Sequence, residues 1–489
     1  MGLLRRTSSL VLFLTIVLHS QAPAPAPQPQ RALPLHRFEV SRQAQTDSEG
    51  YFQHAFAIGD DYFDGRDTRA RVRRHLRIAK DVGAQYLRCA FSWNGLEPEK
   101  GKYDFRFWDM LVEEAGRAGI RVIPYVAYTP EWAARSEKLF WQQPPKDPAL
   151  FGRLMKTVAA RYRGRILSWE LWNEPDLTEY WQGTAAEFAE LVRRGAQGVR
   201  EGDPNAVIVL AGMSHGPGPF FEELISKHEV QRWVDVIALH GYPESWDEDR
   251  AETVYGRRIA KMNEYVTQEA PMHDVWLNEM GYADYRYRKA QASVWGTNTY
   301  YAYEHTPRYA AEFLFKSFAM VVASGKLSLA GWYRIDDFRH SDKRMPTDKV
   351  HYHLGIVDVN GRPKLSYHAM KFASRLLQRP LRTHSRKVSA APRSQAVVHV
   401  FQRRDGKVVV TGWLRSSEYA EVRRHTGMEA DRRRERVDVE LPCLATQVST
   451  YNALGTRLST ARLRARQLRG VPLTGRRVYV AEVTCATAR

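Results

Sequence analysis

The chain has 489 residues, of which 44% are hydrophobic and 11% aromatic, and its 73 Lys+Arg against 55 Asp+Glu give a formal net charge of +18. That much apolar and aromatic side chain suffices for a large core, which excludes a disordered or fibrous chain. The three cysteines, Cys89, Cys443 and Cys485, are too few for a disulfide framework, so the core must hold the fold together.

At the N-terminus Arg5 and Arg6 precede the apolar run Leu10 to Leu18, and small residues and prolines follow. This is the layout of a secretory signal over residues 1–22, and the run is well short of the ~20 residues that span a bilayer. The competing reading is an uncleaved membrane anchor. A Pro-rich spacer and lead-in occupies residues 23–50; the stretch Gln21 to Gln30, in which proline alternates with small or polar residues, should be extended and semi-rigid. No later segment reaches transmembrane length, so a secreted or periplasmic protein is expected. There Cys443 and Cys485 either pair, for about 3 to 4 kcal/mol at that loop size, or stay as buried thiols.

From residue 51 to 380 short β-branched or aromatic runs alternate with longer segments of helical period, the pattern of βα units. The predicted strands are His54 to Gly59, Gln85 to Phe91, Arg121 to Tyr128, Ile166 to Asn173, Val207 to Met213, Val234 to His240, Val275 to Glu279 and Leu329 to Asp336. Amphipathic helices are predicted at Thr68 to Val82, Phe105 to Ala118, Pro148 to Tyr162, Ala185 to Glu201 and Pro307 to Ser324, with a last one ending near Gln378. Eight strands with intervening helices fit an α/β fold of the (β/α)8 TIM-barrel type. An open doubly wound sheet is disfavoured, because no Gly-rich phosphate fingerprint follows the first strand.

Residues 381–489 change character. Short alternating runs at Ala396 to Gln402, Lys407 to Leu414, Arg436 to Leu441, Gln447 to Asn452 and Arg477 to Val483 predict a small C-terminal antiparallel β-sandwich domain. This segment holds 22 Lys+Arg against 9 Asp+Glu, or +13, leaving +5 for the rest of the chain. The basic surface, in runs such as Arg432 to Arg434 and Arg462, Arg464, Arg466 and Arg469, is either a solvated face or a contact for acidic polysaccharide or an anionic envelope. Nucleic acid is disfavoured, since no recognition motif is present.

Active sites of such barrels form where the strands end. The fourth strand ends Trp169-Glu-Leu-Trp-Asn-Glu174-Pro and the seventh Trp276-Leu-Asn-Glu279-Met, so Glu174 and Glu279 would face each other across the mouth. A protonated and an ionised carboxyl facing one another suit glycoside hydrolysis, with a spacing of about 5 to 5.5 Å for retention and about 6.5 to 9.5 Å for inversion. Glu170 has the same parity as Glu174 but lies about 13 Å deeper, where a paired polar group is expected. Trp93, Trp132, Trp141, Trp181, Trp246 and Trp295, in predicted loops, are either core residues or sugar platforms, and their number leans towards an endo-acting cleft. No metal-ligand spacing, nucleophile elbow or phosphate loop is present, so no metal or cofactor is called for.

The segments around Glu174 and Glu279 resemble the two catalytic strands of the retaining clan A glycoside hydrolases. Arg88 to Trp93, Glu97 to Asp104, Glu179 to Thr184, Asp235 to Tyr242 and Asn360 to Lys364 extend the resemblance to glycoside hydrolase family 39 and its relatives, which include β-xylosidases, α-L-iduronidase and bacterial exopolysaccharide hydrolases. The resemblance covers the whole barrel and implies that Glu174 is the general acid/base and Glu279 the nucleophile, with Asn173 on the sugar 2-hydroxyl. It further implies that His240 and Tyr242 lie beside the nucleophile and hold it ionised, that Arg88 is a cation near Glu279, and that Trp332 is the aromatic floor. Asn278 and Met280 depart from the pattern, in which relatives more often carry Thr or Ser before the Glu and an aromatic after it.

The sequence therefore points to an exported retaining glycosidase acting on a polysaccharide or oligosaccharide, with endo action expected. An exo-acting β-xylosidase-like enzyme and a non-catalytic carbohydrate-binding envelope protein are the alternatives.

Overall fold

The structure is a computed structural model that describes residues 46–486 apart from 63–64, 66, 247–249, 270–272, 285–305, 339–350, 385–387 and 416–430. The signal segment, most of the spacer and Trp295 thus lie outside the described residues.

Eight parallel strands close into a barrel in sequence order: β1 (Ala55–Gly59), β2 (Tyr86–Ser92), β3 (Arg121–Ala127), β4 (Ser168–Leu171), β5 (Val207–Met213), β6 (Val236–Gly241), β7 (Asp274–Met280) and β8 (Leu329–Tyr333), with β8 paired to β1 from Ala55↔Leu329 to Gly59↔Tyr333. A buried cluster drawn from seven of the eight strands includes Ala55, Ala57, Val209, Ala238, Trp276 and Leu329. Small Ala238 is the register partner of the bulky Trp276 in this cluster, a large and a small residue side by side as close packing favours.

Among the described residues, the α-helices longer than one turn are α1 (Arg69–Asp81), α2 (Arg106–Ala118), α3 (Ala149–Arg161), α4 (Ala185–Gly202), α5 (Pro219–Ser226), α6 (Ala251–Glu269), α7 (Pro307–Ser324) and α8 (Leu365–Leu377). α4 begins with a capping box, in which Thr184 Oγ1 accepts from Glu187 N at 3.2 Å and Thr184 N donates to Glu187 Oε2 at 2.8 Å. α3 and α4 pack so close that a Cβ on Gly198 would stand 2.1 Å from Gly152 O, and glycine permits the approach. The predicted fourth strand is longer than the observed one: Trp172 and Glu174 sit at φ 84° and 43°, which ends the ladder at Leu171.

The second sheet is antiparallel and consists of β9 (Leu381–His384), β10 (Val388–Ser389), β11 (Ala396–Arg403), β12 (Lys407–Leu414), β13 (Arg434–Tyr451), β14 (Arg457–Thr474) and β15 (Tyr479–Cys485), in the order β10-β13-β15-β12-β11-β9 with β14 against β13. Leu468, Val471 and Leu473 of β14 join Val408 and Val410 of β12 in one apolar core, so the sheet folds over itself as the small sandwich expected. Two predicted strands are a single strand here, and β14 was missed altogether. Both follow from register shifts within the β13–β14 pair, which break the simple alternation, and from the density of arginine along β14. The sheet is packed onto the barrel: Trp413 Nε1 donates to Glu252 Oε1 at 2.7 Å, and Val478 N to Glu312 Oε2 at 2.9 Å. Cys443 and Cys485 form a disulfide, closing a separation of 42 residues.

Candidate active site

The deepest polar layer is built on Glu170. Its buried carboxylate accepts from Arg88 Nε and Nη2 at 2.8 and 2.9 Å, from Gly212 N at 3.0 Å and from Asn278 Nδ2 at 3.0 Å. Arg88 is thereby fixed by a bidentate bond, the strongest geometry available to a guanidinium. Its remaining nitrogen reaches upward: Nη1 donates to Glu279 Oε2 at 2.5 Å, and Nη2 also donates to Asn173 Oδ1 at 2.8 Å. Arg88 therefore bridges Glu170 and Glu279, and it orients the Asn173 amide so that Nδ2 remains to donate.

Glu279 reaches this position through a bulge. β7 carries one more residue than β6 between Leu239↔Leu277 and His240↔Glu279, so Asn278 and Glu279 both turn towards the axis although they are adjacent. Tyr242 OH donates to Glu279 Oε1 at 2.6 Å. Burial pushes the Glu279 carboxyl up, but His240, Arg88 and Tyr242 together outweigh it and hold the group below the usual carboxylate range.

Glu174 takes the opposite direction. Its left-handed backbone, with Glu174 N donating to Gly212 O at 3.1 Å, lifts the side chain off the end of β4. Burial raises its carboxyl pKa, a bond and charge from His240 oppose this, and Glu279 adds to the rise. One oxygen of Glu174, one of Glu279 and a ring nitrogen of His240 all lie within 4.8 Å of one another.

His240 lowers the Glu279 carboxyl pKa through charge, but its hydrogen bond goes to Glu174. Its Nδ1 is 2.8 Å from Glu174 Oε1 and 3.8 Å from Glu279 Oε1, so the imidazole bonds the first carboxyl and touches the second only through charge. The physical reason is depth: the ring is buried against Gly212, where any Cβ would stand 2.1 Å from Nε2, and Nδ1 is left to point across to β4.

Trp332 is placed differently from expectation, and Trp93 and Trp181 take the core alternative of their two readings. Trp332 is buried on the helix side of β8, paired with Ile58 and Met280 and packed on Phe318 of α7, so it is no sugar floor. Trp181 is buried between Trp172 and Phe188 with Nε1 donating to Thr184 O, and Trp93 is buried at the turn after β2. Trp132 is half-buried, its Nε1 committed to Glu97 O and its ring edge-on to Trp93. The structure thus brings Glu174, Glu279, Asn173, His240, Tyr242 and Arg88 together and leaves Trp332 and Trp181 in the core.

The aromatic walls are tyrosines that sequence reading missed. Tyr333, one residue after Trp332, has the inward parity of Leu329, lies against Tyr242 and donates to Asp61 Oδ2 at 2.5 Å. Asp61 also accepts from Tyr125 OH at 2.7 Å, and Tyr125 lies beneath the Arg88 guanidinium at 4.5 Å. Tyr128, at φ 72° where β3 ends, groups with Trp141, Trp172 and Tyr180, and the charge of Glu174 is felt by Tyr128 and Tyr180. Counting alternate residues from Leu329 would have selected Tyr333 over Trp332. The strand-end position of Tyr128 was the corresponding signal for the other wall.

A model of the family described as Glycosyl hydrolases family 39 matches residues 64–429. The chain belongs to this family. A β-xylosidase of Caldicellulosiruptor saccharolyticus is 22% identical over 344 residues, which cover 62% of this chain and 64% of the relative, so the match spans just under two thirds of that protein. Among solved structures, a family 39 glycoside hydrolase from Bacteroides cellulosilyticus WH2 superposes with a TM-score of 0.66 at 14% identity, covering 88% of this chain and 81% of that one. A family 39 β-xylosidase from Caulobacter crescentus gives 0.59 at 16% identity, covering 88% and 96%. At such identities the likeness is one of fold. This family member carries its two mouth carboxyls just beyond the end of β4 and on β7 of the barrel.

Proposed function

We propose that this chain is a retaining glycosidase that hydrolyses O-glycosidic bonds of an oligosaccharide or polysaccharide, with Glu174 as general acid/base and Glu279 as nucleophile. The observation that carries this reading is the pairing of two carboxyls with oxygens within 4.8 Å whose surroundings drive one towards the protonated and the other towards the ionised form. The short spacing favours the double displacement, for which carboxyls stand about 5 to 5.5 Å apart, over inversion at about 6.5 to 9.5 Å.

In the first step Glu174 gives its proton to the glycosidic oxygen as that bond breaks, and Glu279 bonds to the anomeric carbon. Glu174, now ionised, then takes a proton from water, which attacks the same carbon and releases Glu279. Arg88 and Tyr242 keep the nucleophile ionised, and Asn173 Nδ2 is placed to donate to the sugar 2-hydroxyl. Tyr333 on one side and Tyr128 with Tyr180 on the other offer apolar faces to the sugar.

Endo and exo action remain two readings. The half-buried aromatics Trp132, Trp141 and Trp246 support a cleft, whereas the burial of Trp93 and Trp181 removes two of its supposed platforms and favours a β-xylosidase-like pocket. Export is part of the proposal, and the Cys443–Cys485 bond supports an oxidising compartment.

The test compares wild type with Glu174→Gln and Glu279→Gln on polysaccharides and on aryl β-glycosides, β-xylosides included, with thermal unfolding confirming that each variant folds. Release that disappears in Glu279→Gln, with a first product of retained anomeric configuration by proton NMR, supports the reading. For Glu174→Gln the loss should be about 10²- to 10⁴-fold on substrates with unactivated leaving groups. An inverted first product, or unchanged turnover in both variants, would sink it; product length decides endo against exo.

A further inference from the structure

Two residues beyond Glu174, Asp176 joins the end of β4 to the loop that leaves β5. Its Oδ1 accepts from Ser214 N at 3.0 Å and its Oδ2 from His215 N at 2.8 Å, and little of the carboxylate is left to solvent. The charge of the acceptor strengthens both bonds. Ser214 is also held from its other side. Arg258 Nη1 of α6, a nitrogen with two hydrogens, donates to Ser214 O at 2.8 Å and to His240 O at 2.7 Å.

These contacts close a circuit. Glu174 Oε1 lies 2.8 Å from His240 Nδ1, the His240 carbonyl is tied through Arg258 to Ser214, and Ser214 is tied to Asp176. The path from Asp176 back to Glu174 is short and stiff. Only Pro175 separates them, its ring fixes φ near about −65°, and Leu177 N donates to Glu174 O at 3.1 Å to close the turn. Glu174 is thus held at its backbone through Asp176 and at its carboxyl by His240, and one arginine sets the spacing between the two holds. Stapling two loops would stabilise any fold, but a staple with no part in the reaction need not converge on both ends of one side chain.

We propose that Asp176 and Arg258 are positioning residues for proton donation: they grip Ser214 from its two sides and so fix where the Glu174 carboxyl meets the glycosidic oxygen. The inference rests on the glycosidase reading, in which Glu174 is the acid. A misplacement of about 1 Å at such a group costs about 10²-fold in rate. The loss should appear where the leaving group needs a proton, because an activated phenol departs without one.

The experiment uses the full chain and measures kcat/KM on matched pairs of phenyl and 2,4-dinitrophenyl β-glycosides (xylosides, glucosides and galactosides), with unfolding temperature as the check on folding. It compares wild type, Asp176→Ala, Arg258→Met, the double variant and Glu174→Gln. Asp176→Asn, which keeps one acceptor, stands in if Asp176→Ala does not fold. Losses of about tenfold or more on the phenyl substrates, with less than about threefold on the dinitrophenyl ones, support the proposal. A double variant no worse than the poorer single one supports it too. Equal losses on both leaving groups, an unchanged phenyl rate, or additive losses in the double variant overturn it. If Glu174→Gln itself loses no more on phenyl than on dinitrophenyl substrates, the glycosidase reading fails; if Glu174→Gln shows that dependence and the Asp176 and Arg258 variants do not, the positioning role alone fails.

Discussion

His240 Nδ1 stands 2.8 Å from Glu174 Oε1 and 3.8 Å from Glu279 Oε1, so one imidazole couples the carboxyl that must hold a proton to the one that must not. Burial lowers the readiness of His240 to be charged, but Glu279 and Glu174 outweigh it and raise its pKa above the ordinary value. Part of that stabilisation is returned to Glu279 as a lowered pKa.

Removal of this ring should move the pH profile. Burial raises Glu174 and His240 pulls it back down, so His240→Ala should raise the pKa of the acid further and shift the alkaline limb of kcat/KM to higher pH. An alkaline limb that stays in place, or moves to lower pH, contradicts this account.

Gly212 is the space that His240 occupies. A Cβ there would be 2.1 Å from Nε2 and 2.4 Å from Cδ2, so Gly212→Ala should displace the ring and lower kcat about tenfold or more. In a double-mutant cycle the change should cost almost nothing on a His240→Ala background; additive losses would show that Gly212 acts elsewhere.

Arg88 holds two buried carboxylates at once. Arg88→Met should destabilise the fold by about 3 to 5 kcal/mol, because Glu170 loses its bidentate partner in the barrel interior. The same change should raise the Glu279 pKa and carry the acid limb of kcat/KM to higher pH. Urea unfolding and the pH profile test the two parts separately.

Behind the mouth, Asp336 accepts from Arg71 and Arg74 at 3.2 and 3.1 Å and from His75 Nε2 at 3.1 Å. Burial alone would push its carboxyl up, but His75, Arg334 and Arg71 hold it well below the usual range. A depressed carboxylate contributes stability above its unfolded pKa of about 4, and the contribution is lost as pH falls from there towards its folded value. Asp336→Asn should therefore cost about 3 kcal/mol near neutrality and make the loss of stability between about pH 4 and pH 2 shallower than in wild type. Equal acid slopes by urea unfolding would refute the assignment.

Period-two and helical runs predicted all eight barrel strands, and the order Trp-Glu-Leu-Trp-Asn-Glu-Pro placed Glu174 where a strand ends. Those features are local: a strand or helix announces itself through which neighbours share a face. Whether Trp332 or Tyr333 faces the mouth depends on a single step of parity, and Glu279 reaches the axis only through a bulge that no alternation reveals. Likewise β13 and β14 pair through shifted registers, so their sequences do not read as clean strands.

By itself the sequence determined the barrel, the basic second sheet and the two facing carboxyls, because burial patterns and strand-end chemistry are written in residue spacing. Only the tertiary structure decided that His240 bonds Glu174, that Arg88 links Glu170 to Glu279, and that tyrosines wall the mouth. Those relations join residues from different strands, and their distances follow from how the barrel closes, which no run of neighbouring residues encodes.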